Sequence, residues 1–187
     1  MSGKSNKTGF TFLEVMVVMG LIALLATIGM PLLFSRKPRY ERELFFRRLN
    51  ALTQLGWQNA LITHKIHKIS FDFASRTVRL LQESPSNHAD NKKYVPLKRA
   101  HIHTTISWPK QLDVKQFFVE GSDEFASHAG RSTAEVWFFI VPEGLAQQVT
   151  INMLDTKDKK SGKPRQVGLV LNPFSAQFVV YDTWQKS

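Results

Sequence analysis

Residues 8–34 read TGFTFLEVMVVMGLIALLATIGMPLLF, and everything else in the chain is interpreted outward from them. Positions 10–34 hold 25 residues and one charge, Glu14. At ~1.5 Å per residue such a run makes a helix of about 37 Å, enough to cross a hydrocarbon core of about 30 Å with some tilt. Lys4 and Lys7 precede it, and Arg36, Lys37, Arg39 and Arg42 follow it, so positive charge alone leaves the orientation open. Three readings compete. A cleaved secretory signal fits the basic start, but its apolar region spans only about 7–15 residues, and no small-x-small site follows this run. A plain signal anchor leaves Glu14 unexplained, because a carboxylate deep in a bilayer costs about 2.5–3.5 kcal/mol on insertion scales. The third reading cuts the chain before the apolar stretch.

A specific pattern supports the third. Thr8-Gly9-Phe10-Thr11-Phe12-Leu13-Glu14 resembles the processing site of type IV prepilins and type II secretion pseudopilins. The resemblance implies a leader over residues 1–9 and cleavage between Gly9 and Phe10 by a prepilin peptidase/methyltransferase. It implies N-methylation of Phe10 and a glutamate fifth in the mature chain, which is Glu14. It also implies orientation in a bacterium: leader in the cytoplasm, residues 10–34 as the single inner-membrane span and later filament core, and the remainder in the periplasm. The mature chain would have 187 − 9 = 178 residues. Pro31 falls where the family places a helix-loosening proline and is expected to break the stem helix; the alternative is a Pro31 that marks a bend at the membrane surface. It lacks an N–H and its ring crowds the carbonyl of Thr27, while Gly20 and Gly29 weaken the stem further. Cleavage would leave an ammonium on Phe10, about 6 Å along the helix from Glu14. Both charges are costly in an apolar bundle unless paired. The expected pairing is between Glu14 and the Phe10 ammonium of a neighbouring subunit; the alternative is a Glu14 that merely snorkels to the interface.

Downstream, Phe45, Leu49, Leu52, Leu55, Gly56 and Ala60 recur at spacings of three and four, the stripe of an amphipathic helix. Arg47, Asn50, Gln54 and Gln58 are expected on the opposite face, and Arg48 and Trp57 fit the stripe poorly. Residues 35–63 therefore read as an amphipathic stem helix whose apolar face lies under a sheet. From residue 64 the period changes to two. Ile69, Phe71 and Phe73 alternate with Ser70 and Asp72, and Ser75-Arg76 turns the chain back into 78–81 as a hairpin. Residues 84–96 read as a loop and 156–164, TKDKKSGKP, as a charged hairpin loop. Further strands are expected at 101–107, 114–119, 134–141, 146–154, 165–171 and 176–182. The fold class is α+β: one long N-terminal helix, then seven or eight antiparallel strands forming a β-rich periplasmic head over 64–187. Within the family this is similar to the H-type minor pseudopilin and related minor pilins, on the helix at 49–62, the hairpin at 69–81 and VWFFIVPEG at 136–144.

The chemistry of the chain is sparse. There is no cysteine, which removes disulfides, thiolate metal sites and cysteine nucleophiles. His64 and His67 form H-x-x-H, and His101 and His103 share a strand face, but no carboxylate completes a ligand set, so solvated surface histidines are expected and no metal or cofactor. The phosphate-loop, G-x-S-x-G and H-E-x-x-H patterns are missing, and Asp155 and Asp158 are too sparse for a calcium loop. The four tryptophans are expected in core or rim packing. Net charge is +10, concentrated in residues 36–70 with eight Lys/Arg and two Asp/Glu. This belt suits anionic lipid or phosphate. The leading expectation is a structural minor pseudopilin, at or near the tip of the type II secretion pseudopilus and not an enzyme. Its expected partners are other pseudopilins through the N-terminal helix, the peptidase, inner-membrane lipid and the secretion assembly platform. The alternative is a minor type IV pilin in pilus assembly or DNA uptake with a nucleic-acid-binding head. DNA-binding relatives tend to carry a basic Gly-Arg motif near the C-terminus, whereas here Lys186 is the one base in 172–187.

Overall fold

The computed structural model describes residues 11–84, 93–97, 104–127 and 135–186; side chains at 28–38, 126, 127 and 160 fall outside that description. The chain divides into two compact units, 1–37 and 38–187. Helix α1, Phe12–Thr63, supplies the described part of the first unit and continues into the second. In the first unit Phe12, Leu13, Met16, Val17, Met19, Ile22, Leu24 and Leu25 are each more than half exposed. They point in every direction around the axis, which is the pattern of a helix meant for lipid or for a bundle of its own kind.

The second unit is built around residues 38–63 of α1 and two antiparallel sheets. One sheet has the order β3-β2-β1-β7, with β4 also on β2: β1 His67–Asp72, β2 Thr77–Ser84, β3 Lys93–Pro96, β4 Thr105–Ser107 and β7 Glu135–Ile140. The other has the order β10-β9-β8-β5-β6: β5 Leu112–Val119, β6 Ser122–Asp123, β8 Val149–Lys160, β9 Lys163–Asn172 and β10 Gln177–Tyr181. A short helix α2, Glu124–Ser127, follows β6. Inward residues of both sheets and the buried helix positions Phe45, Phe46, Leu49, Leu52 and Ala60 form one core. Gly56 marks the closest approach: a Cβ there would stand 3.0 Å from Leu80 and 3.2 Å from Ile140. Phe71, Phe117, Phe138 and Trp108 interlock beneath Phe45 in edge-on and tilted pairs.

Several expectations are corrected. Ten strands appear among the described residues. Part of the loop expected at 84–96 is a strand, since β3 pairs with β2 from Leu81↔Pro96 to Ser84↔Lys93. The loop expected at 156–164 is mostly strand: after a bulge over 156–158, β8 and β9 pair again at Lys159↔Pro164 and Lys160↔Lys163 and turn on Ser161-Gly162, both at positive φ. Two residues with φ > 0 match the twist of a tight hairpin, so Lys160 and Lys163 pair directly across the turn. The buried face of α1 is also wider than the stripe implied. Thr53 and Asn59 are buried, and Asn50, expected to face outward, reaches β10. The expected strand residues 101–103 lie outside the described residues.

Candidate functional site

Gly9 and Phe10 also lie outside the described residues, so the site begins at Thr11. The Thr11 hydroxyl accepts the Glu14 N–H at 3.3 Å, and the Thr11 carbonyl accepts the N–H groups of Glu14 and Val15. Thr11 is thus the N-cap of α1 and Glu14 its third helical residue, the spacing of a capping box. The placement favours a carboxylate independently of any partner, because the first turn carries the positive end of the helix dipole. Glu14 is exposed, and apolar side chains surround it along the helix. The α1 backbone runs through Pro31 without interruption. Among the described residues no helix is long and apolar enough to cross a membrane; the described side chains of the apolar run stop at residue 27.

In the second unit the basic belt is partly illusory. Arg42 is 6% exposed, and its guanidinium donates to Asp155 at 2.9 Å and Asp158 at 2.6 Å. Arg165 extends this ladder, donating to Asp158 at 3.4 Å and to Asp182 at 2.6 Å. The Arg42 hydrogen bond is the main cause holding the Asp158 carboxyl below its ordinary range, and the Asp182 bond raises Arg165. Arg42 is therefore a core cation that pins α1 to β8, and it is not available to lipid or nucleic acid. Its pairing with residues 113 and 116 positions away could not be read from sequence, but its place could. Positions 42, 45, 49, 52 and 56 continue one helical stripe, so an arginine there is buried and must be paired.

Two asparagines were equally silent. Asn50 clasps the edge strand, its amide donating to the Phe178 carbonyl at 3.1 Å and its carbonyl accepting the Phe178 N–H at 2.6 Å. Asn152 holds Gln185 in the same reciprocal way, at 2.9 Å for both bonds. Each side-chain amide imitates a neighbouring strand, so two stretches of backbone that the sheet leaves open are satisfied.

The histidines divide. His64 is exposed at the end of α1, with φ at 51°. His67, expected on the surface, is fully buried on β1; Nδ1 lies 3.0 Å from the Lys65 carbonyl and burial pushes its pKa down. His101 and His103 lie outside the described residues. Trp108 is buried, Trp57 donates to the Gly144 carbonyl at 2.7 Å, and Trp137 is covered on one face by the Lys68 ammonium at 4.0 Å.

Residues 4–30 match the family described as "Prokaryotic N-terminal methylation motif". No curated protein matches the chain in sequence. Among solved structures, the minor pseudopilin EpsH from the type 2 secretion system of Vibrio cholerae aligns with a TM-score of 0.50 at 12% identity, over 80% of this chain and 99% of that one. A crystal structure of EpsH aligns at 0.46 and 14% identity, over 78% and 92%, and the likeness of fold rests on the first. The chain thus carries a prepilin-type methylation motif at the head of a long helix, followed by a fold like that of a minor pseudopilin.

Proposed function

We propose that this protein is a minor pseudopilin, a structural subunit at or near the tip of a type II secretion pseudopilus that takes part in protein export across the outer membrane. One observation carries the reading: the methylation motif sits at the start of a helix that is apolar all round, and that helix leads into a minor-pseudopilin-like fold. The prepilin peptidase/methyltransferase cuts between Gly9 and Phe10 on the cytoplasmic side and methylates Phe10. Residues 10–34 anchor the chain in the inner membrane with the rest in the periplasm. On assembly they leave lipid and pack against other pseudopilins above the secretion platform. Glu14 then pairs with the Phe10 ammonium of a neighbour and sets the axial step, while Pro31 lets the stem loosen as it changes surroundings. The role is structural and not enzymatic. Burial of Arg42 and pairing of Arg165 count against the nucleic-acid alternative, because they withdraw two bases from the surface.

Glu14→Val tests the assembly step. Cleavage and membrane insertion should be unchanged, and incorporation into filaments, read by shearing and immunoblotting, should fall to background. Normal incorporation of this variant would contradict the pairing.

A further inference from the structure

The β8–β9 hairpin outruns its sheet. β5 accompanies β8 only to Leu112↔Asp155, and β10 accompanies β9 only from Gly168 onward, while β8 and β9 pair again beyond Asp155 at Lys159↔Pro164 and Lys160↔Lys163. Residues 156–164 therefore form a bulged hairpin tip with no third strand beside it among the described residues. A bulge between Asp155 and Lys159 redirects this tip. The Asp155 carboxylate shapes the bulge: Oδ1 accepts the N–H groups of Lys157 and Asp158, each at 3.1 Å, while Oδ2 accepts from Arg42. Asp158, the one acid in the tip, is engaged by Arg42 and Arg165. Lys157, Lys159 and Lys163 are exposed and have no ion pair among the described residues. The tip is thus a basic finger held to the helix through a buried arginine.

That arginine stands eight residues beyond the last residue of the apolar run, with Arg36, Lys37 and Arg39 between. Chain length alone keeps it within about 28 Å of residue 34. We propose that Lys157, Lys159 and Lys163 dock on the anionic phospholipid headgroups of the membrane that holds residues 10–34. The inference rests on the reading of that run as a membrane anchor. Charge complementarity selects lipid phosphate, and the short tether selects it over nucleic acid, because the anchor holds the membrane surface at high effective concentration. Before assembly, such docking would keep the head close to the bilayer.

The chain has no cysteine, so Ser161→Cys gives a single labelling site at the turn. The full-length protein, fluorescently labelled there, is reconstituted into phosphatidylcholine vesicles with or without phosphatidylglycerol, each carrying a headgroup-attached quencher. Quenching of the label should appear with phosphatidylglycerol and be largely lost without it or in high salt. Each lysine replaced by Gln should lower the docked-to-undocked ratio roughly fivefold; the three Lys→Arg changes should preserve it. Equal quenching in both vesicles, or no response to the Gln replacements, overturns the proposal. So does lysine-dependent binding of duplex DNA by a tip that stays unquenched on phosphatidylglycerol. Flotation with neutral vesicles separates the two layers of the argument. A chain that fails to float defeats the anchor reading and this inference together, whereas a chain that floats without lipid-dependent quenching defeats this inference alone.

Discussion

His67 and Asp158 each make the stability of the head depend on pH, for different reasons. Burial pushes His67 below the ordinary histidine value of 6.5, so the folded head holds it neutral. Above pH 6.5 it is neutral in folded and unfolded chains alike, and its contribution is complete. As pH falls below that value the unfolded chain takes up a proton that the folded head refuses, and stability declines. Asp158 lies below the ordinary 3.8, chiefly through the Arg42 hydrogen bond. Its contribution is present above 3.8 and is lost as pH falls further. Urea denaturation in detergent should therefore show a plateau above pH 7 and a first decline below about 6.5, with a second below about 4. His67→Gln should remove the first decline and keep the second. A wild-type curve flat from pH 7 to 5 would refute the assignment to His67. The sequence pattern misplaced this residue because H-x-x-H carries no information about which member falls on an inward strand position. Its register with Gln82 and Ile140 puts it inside.

At the scale of elements, a buried ion pair ties α1 to β8 of the second sheet, beside the Asn50 clasp on β10. The Arg42 side chain is 7% exposed and that of Asp155 0%. Removing the cation strands a carboxylate in the core, which typically costs about 3–5 kcal/mol. Arg42→Ala should destabilise the head by that amount in thermal or urea unfolding, and protection of the Lys157 and Asp158 amides against hydrogen exchange should fall first. A loss under about 1 kcal/mol would mean that the pair does not tie β8 to the helix. Composition hid this contact. TKDKKSGKP reads as a loop because it is polar, yet Asp155 supplies the hydrogen bonds that a bulge needs and Ser161-Gly162 supplies the turn, so the strands persist. The strands at 69–72 and 136–140 were legible because Ile69, Phe71, Val136, Phe138 and Ile140 are apolar and buried, although Ser70 between the first two is buried as well. β3 was missed because none of its four residues is buried and it ends in proline.

For the whole molecule, the legible part is local. The methylation motif and the apolar run sit within 34 positions, and short-range pattern is enough to read them. The arrangement of strands into two sheets depends on partners tens of residues apart, such as β5 with β8 and β1 with β7, and periodicity does not encode that choice. The central claim is likewise local: the backbone is cut between Gly9 and Phe10 while the apolar segment stays attached. Intact mass and N-terminal peptide mass spectrometry of the membrane-extracted protein tests it most directly. The account predicts a 178-residue chain beginning at an N-methylated Phe10. A mature protein that begins at Met1, or anywhere beyond residue 25, would contradict it.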